Sequence, residues 1–295
     1  MAIQTDNLTT QLVTNLETVK TQASSEPVIE LHKETFPHIY KLESSKDISK
    51  GVIVISPGLC TRQLHLVKPF IGYQLAKRGF TVYSLNTLDL QDYGLNHRDP
   101  FERLDLTLKA YELINELHPN EKIISLGHSL GCIDLLRTQP SGIEASIFIS
   151  PGFKGDKRRF GPKKFLEYFL SFLSDKELQL SPHGNKVKPE LVDFKTDYIH
   201  PKFIWNLQAY AHGLENSHHW PAKKPCLVWL GSKETSDGVM EMRQPLRWVK
   251  IMRELNPKVK FILDVDAGHE PGWKDPLHSE TLAAQIDEWL DKNLF

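Results

Sequence analysis

The chain of 295 residues is long enough for one large α/β domain with an insertion, and a domain of that size buries roughly three-quarters of its unfolded surface. Lys and Arg number 36 against 37 for Asp and Glu, a balance that gives no electrostatic reason to expect nucleic acid or an anionic membrane as partner. Cys60, Cys132 and Cys226 are odd in number and lack the close spacing of a zinc or redox pair, so neither is expected and a cytoplasmic setting is.

The first 26 residues read as a polar leader without the apolar core of a signal peptide, and no later stretch approaches the ~20 apolar residues needed to span a bilayer. Short strand patterns follow at 28–31 and 38–42. The apolar run 51–56 stops at Pro57-Gly58 and reads as a buried strand. Residues 66–78 carry Val67, Phe70, Ile71 and Leu75 at helical spacing, with Gly79 as the stop. Strand 80–85, helix 101–117, strand 122–126, helix 130–137 and strand 145–150 come next, and such strict alternation predicts a mostly parallel sheet flanked by helices.

Between 151 and 224 the alternation gives way to short helical patterns rich in Pro, Gly and His. It resumes with strand 226–230, helix 240–255, strand 259–265 and helix 279–290. The expected organisation is a leader (1–26), a core in two pieces (27–152 and 225–295) and an inserted helical cap (153–224).

The motif Gly127-His128-Ser129-Leu130-Gly131 lies between a predicted strand and a predicted helix. A serine in so sharp a turn needs neighbours without bulk two residues away on either side, and the turn pushes its hydroxyl out of the sheet. It also leaves the Leu130 amide at a helix start, where unpaired N–H groups stabilise a developing oxyanion. A serine hydroxyl is a weak nucleophile near neutral pH and requires a base held by a carboxylate. His269, on the loop between the last predicted strand and the final helix, is the candidate base. Asp237, on the loop after the preceding strand, is the preferred acid, with Glu234 and Asp266 as alternatives. The Leu59 amide, after Pro57-Gly58, is the candidate second oxyanion donor. Cys132 is expected to be a packed thiol.

With these pieces in place the chain resembles the α/β-hydrolase superfamily from about residue 28 to the end. It is most similar there to monoacylglycerol lipases, lysophospholipases and related carboxylesterases. Gly127-His-Ser-Leu-Gly131 matches the lipase and esterase form of the serine turn, Gly231 through Asp237-Gly-Val resembles the acid loop, and Ala267-Gly-His269-Glu resembles the histidine loop. The chain departs from many relatives at Ser56-Pro57-Gly58, where they carry His-Gly. The resemblance implies a serine hydrolase of the α/β-hydrolase fold that cleaves a carboxylic ester, such as a monoacylglycerol or lysophospholipid, with no metal or organic cofactor. An acyltransferase or thioesterase, and a non-catalytic scaffold, share the same fold.

In the insertion, residues 164–173 are apolar around most of a helical circumference, so Phe165, Phe169 and Phe172, with Trp205, either pack into the cap or face an acyl chain. His212, His218 and His219 lack the spacing of a metal site and read as solvated. Arg62, His65, His97 and Arg98 read as surface groups near loops, where a polar head group would otherwise be held.

Overall fold

The computed structural model describes residues 29–32, 39–44, 49–58, 64–66, 68–85, 100–152, 178–180, 197–199, 206–207, 209–212, 214, 224–233, 242–272 and 275–295. Its centre is an eight-stranded sheet. The strands are β1 (Ile29–His32), β2 (Ile39–Leu42), β3 (Val52–Ser56), β4 (Thr81–Leu85), β5 (Ile123–His128), β6 (Ile143–Ile149), β9 (Cys226–Gly231) and β10 (Val259–Asp264), in the order β1-β2-β4-β3-β5-β6-β9-β10. β1 and β2 are antiparallel to their neighbours; from β4 to β10 every pairing is parallel.

Parallel strands need crossovers, and helices α1 (Ile71–Lys77), α2 (Glu102–Leu117), α3 (Leu130–Thr138) and α4 (Arg243–Leu255) supply them, while α5 (Pro276–Asn293) follows the last strand. Central strands are therefore covered on both faces, which is why β3 reads Val-Ile-Val-Ile-Ser with every residue buried. Val52 and Val54 face one core with Tyr111 and Ile114 of α2, Ile133 and Leu136 of α3, and Trp248 of α4. Ile53 and Ile55 face the other with Ile71 and Leu75 of α1 and Leu282, Ile286 and Trp289 of α5. Each such side chain stabilises the fold by about 1.5–3 kcal/mol relative to exposure.

The element ends follow local chemistry. α1 closes on Gly79, whose φ of 105° is the left-handed conformation glycine adopts without strain. α1 starts at Ile71 rather than in the mid-sixties, because Pro69 interrupts the pattern; a separate 3₁₀ turn, Leu64–Leu66, precedes it. α5 is capped by the Asp275 carboxylate, which accepts from the Leu277 N–H at 2.9 Å, with Pro276 in the first turn.

Among the described residues of the insertion, β7 (Leu178–Leu180) and β8 (Asp197–Ile199) pair antiparallel, an element the helical reading of this segment did not anticipate. Tyr210 is fully buried against the core. Its hydroxyl donates to Asp134 Oδ1 at 2.5 Å, its carbonyl accepts from Arg137 Nε at 2.6 Å, and the Arg137 guanidinium lies 5.1 Å from its ring. This end of the insertion is thus clasped to α3. Among the described residues no helix is long and apolar enough to cross a membrane.

Candidate active site

Open α/β sheets bind ligands beyond the carboxyl ends of their strands. At that end of β5 the chain turns through Ser129 directly into α3, at φ 51° and ψ −113°. A positive φ is costly for a non-glycine residue, by about 1–3 kcal/mol, and persists only where the surroundings enforce it. Here the Ser129 N–H donates to the Ile149 carbonyl at 2.9 Å, and the Ser129 carbonyl accepts from the N–H groups of Cys132 and Gly152, both at 3.2 Å.

The two motif glycines are required sterically. A β-carbon at Gly127 would lie 2.8 Å from the Cys132 Cα, and one at Gly131 would lie 1.8 Å from the Ser56 carbonyl oxygen. Helix α3 therefore packs its first turn onto the ends of β5 and β3 at a separation only glycine permits. Gly152 keeps space on another side, since a β-carbon there would stand 3.3 Å from Ser129 Oγ. Ser129 itself is partly exposed. Leu130 is the first residue of α3, so its N–H is among those that helix geometry leaves without an intrahelical partner.

The loop after β3 is held from beneath. Arg103 of α2 is fully buried, reaches Asp134 of α3 at 2.6 Å and donates to the Pro57 carbonyl at 3.2 Å. The pair fixes the chain direction two residues before Leu59.

Opposite the serine turn, the loop after β10 carries His269. The chain after β9 is laced to it: Ser232 N–H donates to the Asp264 carbonyl and Lys233 N–H to the Ala267 carbonyl, both at 2.9 Å. A β-carbon at Gly231 would sit 2.3 Å from the Gly268 carbonyl oxygen, so glycine is again what allows the approach. Asp266, one alternative acid, is exposed and pairs with Lys233 at 2.8 Å.

Beneath these loops lies a polar cluster inside an apolar core. His65, His128 and Glu270 are all buried. Glu270 Oε1 is 3.3 Å from His65 Nδ1, and Oε2 is 3.1 Å from His128 Nε2. The same His128 Nε2 is 3.2 Å from the His269 carbonyl oxygen. The His128 ring stands 4.9 Å from that of His65 and 5.1 Å from that of His269. Burial pushes the His128 imidazole down to about 3 despite the Glu270 charge. Burial alone would raise the Glu270 carboxyl, but the adjoining His128 and His65 imidazoles outweigh it and hold the group below the usual carboxylate range. Among the described residues this trio is the set able to hold a metal ion, its candidate ligand atoms lying within 4.8 Å of one another.

The fold has clear counterparts among solved structures. A monoacylglycerol lipase from Paleococcus ferrophilus is 19% identical with a TM-score of 0.62, covering 86% of this chain and 98% of its own. A thermostable carboxyl esterase from Bacillus coagulans is 11% identical at 0.63, covering 95% and 99%. A peroxisomal alpha-beta-hydrolase from Saccharomyces cerevisiae is 13% identical at 0.58, covering 94% and 88%. The chain has the α/β-hydrolase fold. No protein-family model matches the sequence, and a comparison with curated proteins finds no match.

Within the α/β-hydrolase fold, Ser129, Leu130 and His269 fall at the carboxyl end of the sheet, on the turns after β5 and β10. Leu59, Asp237, Glu234, Phe165, Phe169, Phe172 and Trp205 lie outside the described residues, as do Arg62, His97 and Arg98. Cys132 is a packed thiol, buried and 3.4 Å from the Ile149 carbonyl. His65 corrects the sequence reading: it is fully buried against Glu270 rather than a surface or head-group residue. The sequence reading does not single out His128 or Glu270, which the fold brings together. The available signal was their adjacency to Ser129 and His269 within the two motifs.

Proposed function

We propose that this protein is a serine hydrolase that cleaves a carboxylic ester, with Ser129 as nucleophile, His269 as general base and Asp237 as the carboxylate that orients it. The observation that carries the reading is Ser129 at φ 51° on the strand-to-helix turn, enforced by the backbone approaches at Gly127 and Gly131. Strained backbone concentrates at functional sites, and here it falls on the hydroxyl-bearing residue of the turn.

In this reading His269 takes the proton from Ser129 Oγ as the oxygen attacks the acyl carbonyl. The Leu130 and Leu59 N–H groups hold the oxyanion, and the alcohol leaves with the proton returned by His269. Water then attacks the acyl-enzyme by the same route, releasing the acid and restoring the serine. The esterase and lipase structures with the same fold support ester hydrolysis, and the Paleococcus monoacylglycerol lipase supports an acyl glycerol as substrate class. Phe165, Phe169, Phe172 and Trp205 of the insertion are proposed to line the acyl site. We propose a cytoplasmic setting, which the burial of Cys132 and Cys226 fits.

The test is turnover of p-nitrophenyl esters of increasing acyl length by wild type, Ser129→Ala and His269→Ala. The reading expects turnover that peaks at longer chains and is lost in both variants. Turnover that appears only when an added alcohol or thiol acts as acceptor would move the assignment to acyl transfer, and none at all to a non-catalytic scaffold.

A further inference from the structure

The three loops that build the site come from distant parts of the chain, and one buried cluster touches all of them. His65 lies in the 3₁₀ turn that follows the β3 loop, His128 immediately precedes Ser129, and Glu270 immediately follows His269. We propose that His65, Glu270 and His128 form a positioning strut that fixes His269 relative to Ser129. The proposal rests on the serine hydrolase reading for its effect on rate, although the strut itself is a statement about geometry.

The tautomers follow from the partners. His128 Nε2 faces two oxygens, Glu270 Oε2 at 3.1 Å and the His269 carbonyl at 3.2 Å. Both are acceptors, so this nitrogen carries the hydrogen and Nδ1 does not. His65 presents Nδ1 to Glu270 Oε1 at 3.3 Å and by the same argument is protonated there. One carboxylate thus draws in two imidazoles from different loops, and His128 holds the backbone of the candidate base directly. The Glu270 contacts are close but off-axis, so each neutral imidazole meets the carboxylate through its ring dipole, while the His128 N–H is hydrogen-bonded to the His269 carbonyl. Full burial of the three side chains removes the water that would otherwise loosen the arrangement.

A metal would use the same atoms. It would, however, require the lone pair of His128 Nε2 to point at the ion while two oxygens lie within 3.2 Å of that nitrogen. The donor reading gives the His269 carbonyl its N–H and turns the same polar edge of the ring toward the Glu270 carboxylate, and it is the one we adopt.

The experiment compares His128→Gln, which keeps a donor close to the Nε2 position, with His128→Leu, which removes it, and adds Glu270→Gln as an isosteric change. Three quantities are read on the full chain: the rate of labelling by a fluorophosphonate probe, kcat and KM for a p-nitrophenyl ester per titrated site, and the His128 tautomer from long-range 1H–15N NMR. A misplacement of about 1 Å at a catalytic group costs on the order of 100-fold in rate. His128→Leu is therefore expected to slow labelling and kcat by about that factor at unchanged KM, and His128→Gln to recover most of it. Wild-type labelling in His128→Leu, or an equal loss in both variants, would overturn the strut. So would one equivalent of zinc in the purified protein that disappears in His65→Ala. Should His128→Leu not fold, Glu270→Gln decides by the same readouts. If the wild type is not labelled at all, the hydrolase reading fails, and the strut stands or falls on the Nε2–H tautomer and its loss in Glu270→Gln.

Discussion

Gly131 stands so close to Ser56 that a β-carbon at residue 131 would lie 1.8 Å from the Ser56 carbonyl oxygen and 2.8 Å from that of Pro57. Neither obstacle is a movable side chain; both belong to the end of β3 and the loop that follows it. Gly131→Ala is expected to push α3 away from the sheet, costing on the order of 3 kcal/mol and disrupting the serine turn. Urea denaturation with parallel probe labelling checks this; a variant with unchanged stability and labelling would show that the approach of α3 to β3 is not required.

The acid is tested by a pair of substitutions. The Asp266 carboxylate is exposed and held by Lys233, whereas Asp237 follows the stretch 231–233 that is hydrogen-bonded to the histidine loop. Asp237→Asn is expected to lower kcat by roughly 10⁴-fold, the size seen when a triad acid is made neutral, and Asp266→Asn to leave it unchanged. Steady-state kinetics on the two variants distinguishes them, and the reverse pattern would transfer the role to Asp266.

Acid should destabilise the protein through His128. The unfolded chain takes up a proton on this residue near pH 6.5, while the folded chain, where burial disfavours the imidazolium, does not do so until about pH 3. The unfolded state thus binds more protons in this window, and stability falls as pH drops from 6.5 toward 3. Tm measured from pH 8 to pH 4 is expected to decline below pH 6.5 and to decline less steeply in His128→Gln. Equal slopes in the two proteins would contradict this account of His128.

The clasp at Tyr210 separates two energetic cases. Tyr210→Phe removes one hydrogen bond from Asp134, which keeps its Arg103 partner, and is expected to cost about 1 kcal/mol. Asp134→Ala strands the fully buried Arg103 guanidinium and is expected to cost about 3–5 kcal/mol. Chemical denaturation of both variants provides the comparison, and similar costs would mean that Arg103 finds another partner.

Much of this architecture is legible in the sequence, for a physical reason. Doubly covered parallel strands must be apolar on both faces, so β3, β5, β6 and β9 announce themselves as short apolar runs, and the helices between them show their own period. The serine turn is legible because its two glycines are steric requirements. The start of α1 is not legible, because the apolar spacing at Val67 continues the helical pattern upstream of Pro69. The pair β7 and β8 went unseen because three residues are too short to display alternation. The burial of His65 is not legible for a deeper reason: periodicity reports which apolar residues share a face, but a buried polar residue in an irregular segment owes its burial to partners 63 and 205 positions away, at His128 and Glu270.

The most direct test of the central claim is the site of covalent modification by a fluorophosphonate probe, located by peptide mass spectrometry. A single adduct on the Ser129 peptide, absent from Ser129→Ala and slowed in His269→Ala, is the predicted result. An unmodified protein, or an adduct on another residue that persists in Ser129→Ala, would contradict the assignment of Ser129 as nucleophile.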